Sequence, residues 1–311
     1  MSEKLTLSVS PHIHSGRSTR RIMLDVIIAL IPAIAAGTVI FGLRALLLVA
    51  VSAASCVIFE LLFNLIIKKD QTISDLSAVV TGVLIALNVP ANAPVWQCVV
   101  GSLFAIVLVK CVFGGIGCNV VNPAIAARVF MLISFGSMAQ SAYPTIVDTA
   151  SGATPLTQIA EGQTPKFFDV FFGVIGGTIG ETCTFALLLG FAYLLIRRVI
   201  SWHIPVSIIG CAFVFSFFME GFDAMSALML VMSGGLFIGA IFMATDYVTS
   251  PSTAWGKIIF GVGVGLITCL IRYFGTYPEG VSFAILFMNI LTPYIDSWTK
   301  RKVFGKGGAK A

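Results

Sequence analysis

The sequence predicts an all-α integral membrane protein, with about ten transmembrane helices arranged as two inverted repeats of five. Three observations carry that expectation. Of the 311 residues, 58% are hydrophobic and only 11% are charged, with a mean hydropathy of +1.00. Apolar stretches of about 17–25 residues, the length that crosses a bilayer core, recur along nearly the whole chain. Basic residues gather at alternate ends of those stretches, as the positive-inside bias of membrane proteins requires.

The first 21 residues are polar and basic, without the apolar core and cleavage site of a secretory signal. A first span is expected over 22–41. A second covers Leu43–Ile67 and stops at Lys68, Lys69 and Asp70. The third, 76–89, breaks at N-V-P-A-N-A-P (88–94), and a fourth occupies 95–113. G-G-I-G-C-N-V-V-N-P-A (114–124) leads into a fifth span ending near 135. A polar loop fills 136–166, and the aromatic F-F-D-V-F-F (167–172) suits a membrane boundary, where aromatic rings gather. T-I-G-E (178–181) has the form of a capping box, so the sixth span is expected to begin there and end at Arg197 and Arg198. Spans follow at 204–219, 225–244, 257–273 and 281–294. The polar A-T-D-Y-V-T-S-P-S-T (244–253) separates the eighth from the ninth. The chain thus divides into a first repeat (1–135), an outward loop (136–177), a second repeat (178–294) and a basic cytoplasmic tail (295–311).

With the N-terminus inside, sixteen Lys and Arg side chains fall on the cytoplasmic side, leaving Arg44, Lys166 and Arg272 outside. Both termini are then cytoplasmic and the 136–177 loop faces outward. Residues 81–96 and 234–255 echo each other: each is a small-residue apolar run dissolving into a polar, proline-containing break before a Trp. Five spans per half make the repeats inverted, and such proteins bind ligands where broken helices of the two halves approach.

Within the outward loop, D-T-A-S-G-A-T-P-L (148–156) presents Asp148, Ser151, Gly152 and Thr154 just before Pro155. Gly152 permits unusual backbone angles and Pro155 blocks helix continuation, so Thr154 belongs on an exposed turn. By residues alone this reads as a solvated loop. Asn119, Asn122 and Asp246 are costly against lipid, so they should line protein or water, either as helix caps or as a polar ligand site. Glu60 and Asp25 lie inside spans, where carboxylates mark ion paths or pair with a neighbouring subunit. The seven cysteines form no C-x-x-C pair, and His12, His14 and His203 lack metal-ligand spacing. Membrane packing accounts for the first group and interfacial placement for the second. Metal sites are not expected. G-G-x-G at 114–117 is not a dinucleotide fingerprint, because no strand–helix unit surrounds it.

Several stretches together resemble the RnfD/NqrB family: H-S-G-R-S-T-R-R-I-M (14–23), S-G-A-T (151–154), G-x-G-x-N-x-x-N-P-A, A-T-D-Y-V-T-S-P and Y-P-E-G-V-S-F-A-I-L-F-M-N (277–289). The resemblance covers nearly the whole chain and implies a fold similar to that of urea and ammonium channels. It also implies a covalent FMN, attached as a phosphoester to Thr154 within a motif including Asp148, Ser151 and Gly152. Thr81, Asn119, Asn122 and Asp246 match positions that the family associates with a second, non-covalent riboflavin. A long N-terminal extension of the quinone-reducing branch is lacking, which favours the branch that serves ferredoxin:NAD oxidoreductase complexes of bacterial cell membranes.

The expected function is therefore that of a multi-pass flavoprotein relaying electrons within a redox-driven Na+ or H+ pump, not catalytic alone. Its expected partners are other membrane and flavin or iron–sulfur subunits, including an FMN-bearing subunit on the outer face. The flavins would carry the redox chemistry, while the chain supplies position and electrostatics. A passive channel or secondary transporter of the same inverted architecture is the alternative.

Overall fold

The computed structural model describes residues 18–139, 142–144, 166–275 and 279–300. The stretch carrying Asp148, Ser151, Gly152 and Thr154 lies outside the described residues. Among those described, the chain is helical, with one isolated antiparallel bridge between Ala142 and Gly177.

Helix α1 (Thr19–Phe41) starts where the Ser18 hydroxyl accepts the Arg21 amide at 3.3 Å, and Gly42 (φ 78°) turns the chain into α2 (Leu43–Ile67). Next come α3 (Ser77–Leu87), α4 (Val95–Leu103, continued as π-helix through Cys111), α5 (Pro123–Ser134) and the short α6 (Phe167–Phe172). The second half holds α7 (Thr184–Ile196), α8 (His203–Met219), α9 (Ala224–Met232), α10 (Leu236–Met243), α11 (Ala254–Phe274) and α12 (Val281–Thr299).

Three of these helices, α1, α2 and α11, are long and apolar enough to cross a membrane, and a fourth crossing results if α9 and α10 count as one bent span. Two of the expected spans are not single continuous helices. The third span is an eleven-residue helix, because Asn88 begins the proline-bearing break and a proline lacks the N–H that a helix would use. The eighth span is broken, its two pieces meeting at 66° where Ser233 and two glycines interrupt the helix, Gly234 with φ 71°.

The sixth span does not begin at the predicted capping box. The Thr178 amide does donate to Glu181 Oε1 (2.8 Å), but this contact closes a turn, and α7 starts only at Thr184. The reason lies in the backbone. The Ile179 and Gly180 amides donate to the carbonyls of Val89 (3.2 Å) and Leu87 (2.7 Å), so they are committed to the end of α3. Gly180 is required there, since a Cβ would sit 2.6 Å from that of Leu87.

The packing order is regular. α2 lies against α3 and α4, while α8 lies against α9 and α11. α1 packs on α7, and α5 on α12. The pieces that carry breaks lie at the centre: ten of the eleven α3 residues are buried, as is all of α10. Large apolar side chains face outward, with Ile66, Ile196 and Trp298 each more than three-quarters exposed, a surface suited to lipid.

Candidate functional site: a cavity between helix breaks

Two walls of the site are made by helices that lose their regular winding. α4 widens to π-helix over Phe104–Cys111, and α10 does so over Gly239–Met243. Such widening frees carbonyls from the ladder and marks functional places in helices. Beyond α4 the chain turns through Gly114, Gly115 and Gly117, with φ of 122°, 100° and 89° that side-chain-bearing residues rarely adopt. Lys69 pins this turn by donating to the Gly114 carbonyl at 2.7 Å.

Between these walls lies a cavity of about 360 Å³, within the ~300–1,000 Å³ of ordinary small-molecule sites. Thr81, Asn119, Asn122 and Asp246 all line it, together with Lys110, Ser77, Gly117 and Thr245. Ile22, Val26, Val80, Leu84 and Phe242 make its apolar faces. Residues far apart in sequence, from both halves of the chain, are thus gathered around one space.

Their side chains are not equally free. Asn122 caps α5: its Oδ1 accepts the amides of Ala124 (2.9 Å) and Ile125 (3.3 Å). Its Nδ2 donates to the Met243 carbonyl at 3.0 Å, latching the start of α5 to the end of α10. The expectation that Asn119 and Asn122 share a helical face is therefore corrected, because 112–122 is not helical and Asn122 is where the helix begins. The Thr81 hydroxyl donates back to the Ser77 carbonyl (3.0 Å), and Asp246 accepts from the Thr249 hydroxyl (3.2 Å). Asn119 differs: its Oδ1 is buried without a partner among the described residues. An unmet acceptor in a polar-edged cavity is what a ligand donor or a water satisfies.

The ion-path candidates are both paired within the chain. Glu60 takes the Lys110 ammonium on both oxygens at 2.9 Å, each side chain 2% exposed, and also accepts the Thr72 hydroxyl at 2.7 Å. Ser77 Oγ accepts a further Lys110 bond at 2.6 Å. Asp25 is held by Tyr193 (3.0 Å) and Arg197 (3.3 Å). Neither carboxylate needs a neighbouring subunit for its counter-ion.

Sequence reading passes over Asn289 and Glu181. With its amide nitrogen turned to the Thr249 carbonyl (3.2 Å), Asn289 accepts the Asn122 amide at 3.2 Å and so braces both polar breaks from α12. Its one signal is an asparagine inside an otherwise apolar run. Glu181 lies hidden in the capping-box pattern.

The model of the NQR2, RnfD, RnfE family matches residues 6–305. The chain is 48% identical over 307 residues to the D subunit of the Na(+)-translocating ferredoxin:NAD(+) oxidoreductase complex of Acetobacterium woodii, covering 97% of this chain and 95% of that one. It is 37% identical over 318 residues to the D subunit of the proton-translocating ferredoxin:NAD(+) oxidoreductase complex of Clostridium ljungdahlii, covering 96% of each. With the D subunit of the ion-translocating oxidoreductase complex of Actinobacillus succinogenes it shares 34% over 350 residues, 97% of this chain and 98% of the other. By the extent of that match, together with its apolar helices and the polar breaks around their cavity, the chain belongs to the NQR2, RnfD, RnfE family.

Proposed function

We propose that this chain is the RnfD-type membrane component of an ion-translocating ferredoxin:NAD+ oxidoreductase complex and relays electrons there through flavin. The names of its relatives support a part in a translocating oxidoreductase complex rather than a reaction of its own, and its long apolar helices support the membrane location. The observation that carries the flavin reading is the cavity. Thr81, Asn119, Asn122 and Asp246 line a space with apolar walls, and one buried amide oxygen there has no partner among the described residues.

The donor set suits an isoalloxazine ring. Asn119 Oδ1 is an open acceptor for the ring N–H, and Thr81 and Asn122 set the polar rim. Leu84 and Phe242 offer apolar faces, and the Lys110 charge beside the cavity is offset by Glu60. A flavin bound there supplies reversible electron uptake; the chain's residues bind it, orient its edge and exclude lipid and bulk water. Riboflavin is the ligand proposed for this site and FMN, esterified to Thr154, for the outward loop. The ten-span inverted topology, cytoplasmic termini, bacterial cell membrane and contact with an FMN-bearing outer subunit belong to the same proposal. The matched packing of α1 on α7 and α5 on α12 supports the repeat.

The covalent site is tested by digesting purified protein and mapping flavin-fluorescent peptides. Thr154→Ala should remove the fluorescent peptide while the protein still inserts. A peptide that persists in the variant, or maps to Thr149 or Thr157, contradicts the assignment. Colourless wild-type protein with solute flux would instead favour a channel.

A further inference from the structure

Beside the cavity lies a second pocket, of about 190 Å³, lined by Arg21, Ile22, Asp25, Arg197 and Val199. Ile22 and Val199 also line the cavity itself, so the two spaces adjoin. Helix α1 contributes to both. Thr19, Ile22, Met23 and Val26 border the cavity, while Arg21 and Asp25, four residues apart on one face, border the pocket.

Asp25 is the unusual member. It is 6% exposed and lies within α1, yet its bonds are long: Tyr193 donates at 3.0 Å and Arg197 at 3.3 and 3.5 Å. Charge-assisted N–H bonds to a carboxylate run nearer ~2.7–2.9 Å. Glu60 shows a closed pair, with Lys110 at 2.9 Å on both oxygens and Thr72 at 2.7 Å. Among the described residues, Asp25 Oδ2 has only the 3.5 Å contact with Arg197. A buried carboxylate bonded so loosely, on the wall of a pocket, has acceptor capacity left for a donor that enters there.

Charge decides the kind of donor. A phosphate or carboxylate would be repelled by Asp25, and the Arg197 guanidinium is already turned toward that side chain. A hydroxyl suits both, since it donates to a carboxylate and accepts from a guanidinium. The Arg197 side chain is 49% exposed, so the pocket's outer end can also leave hydroxyls in contact with water.

We propose that this pocket is a polyol subsite, holding the hydroxyl-bearing tail of the ligand whose ring occupies the cavity. It rests on the flavin reading of that cavity: the tail is then the ribityl chain of riboflavin. Asp25 positions the chain by accepting from a hydroxyl, and Ile22 and Val199 border the passage between ring and tail.

Equilibrium dialysis of the full chain, freed of non-covalent flavin, tests this with riboflavin and with lumiflavin, which carries the same ring and a methyl group in place of the tail. Wild type should bind riboflavin about tenfold more tightly than lumiflavin, and Asp25→Ala should erase that difference by weakening riboflavin alone. Equal binding of the two by wild type overturns the subsite and leaves the ring in the cavity. An Asp25→Ala variant that loses both flavins alike, or neither, overturns it too. Binding of neither flavin by wild type removes the flavin reading and the subsite with it. Should Asp25→Ala fail to assemble, Arg197→Leu decides, because its half-exposed side chain tolerates change. Riboflavin should then bind about fivefold more weakly with lumiflavin unchanged, and unchanged riboflavin binding overturns the subsite.

Discussion

Two sets of helix breaks meet inside this chain, and they differ in what fills them. At 112–122 and 244–253 the interrupted segments hold their neighbours apart and leave a cavity of about 360 Å³. At the end of α3, the 178–182 turn and the 233–235 kink, the breaks close on each other. Leu87 and Val89 carbonyls take the amides of Gly180 and Ile179, and Arg272 takes the carbonyls at the end of α9. A break inside a membrane protein must satisfy its backbone somewhere. Where the chain itself supplies the partners, a tight brace results and only side-chain atoms such as Glu181 Oε2 remain unmet. Where it does not close, there is room for a ligand.

The largest expected effect comes from the wall shared by cavity and core. Lys110→Met leaves Glu60 buried without its counter-ion, which costs ~3–5 kcal/mol for a buried pair broken on one side. Thermal unfolding of the detergent-solubilised protein should show that loss, and Lys110→Met with Glu60→Leu should recover most of it. If the single variant is as stable as wild type, the pair is not the structural element described here.

Asn122→Ala is expected to cost less, ~1–2 kcal/mol, from a lost cap on α5 and a lost latch to Met243. That variant sharpens the comparison because it should loosen the cavity without touching the Glu181 node. Urea or thermal unfolding checks the magnitude, and a variant as stable as wild type would contradict the cap and the latch.

Much of this is legible in the sequence. The ends of α1, α2 and α8 lie within a few residues of their predicted positions, because long apolar runs bounded by charge or glycine leave little choice. Cost against lipid singles out Asn119, Asn122 and Asp246, and motif resemblance adds Thr81. What the sequence hides is tertiary. T-I-G-E reads locally as a helix start, and only contact with Leu87 and Val89 turns it into a brace. Likewise, a run from Met225 to Ala244 has the composition of one span, and its 66° bend falls at Gly234 (φ 71°) and at Gly235, which packs against Glu181, 54 residues away in sequence. The carbonyl that Asn122 holds is 121 residues away, so its capping and latching role has no local signature.

The most direct test of a flavin in the cavity measures non-covalent flavin in the Asn119→Ala variant. Among the described residues Asn119 caps no helix and its Oδ1 has no partner, so the substitution should change stability by less than ~0.5 kcal/mol. Loss of one buried hydrogen bond to a ligand is worth ~1–1.5 kcal/mol, or about tenfold in affinity. Flavin released by mild denaturation from purified protein, titrated against added riboflavin, gives both occupancy and affinity. Riboflavin should bind Asn119→Ala about tenfold more weakly, with Thr154 flavinylation and melting temperature unchanged. Equal riboflavin binding by variant and wild type, or none by wild type, would contradict a flavin site in this cavity.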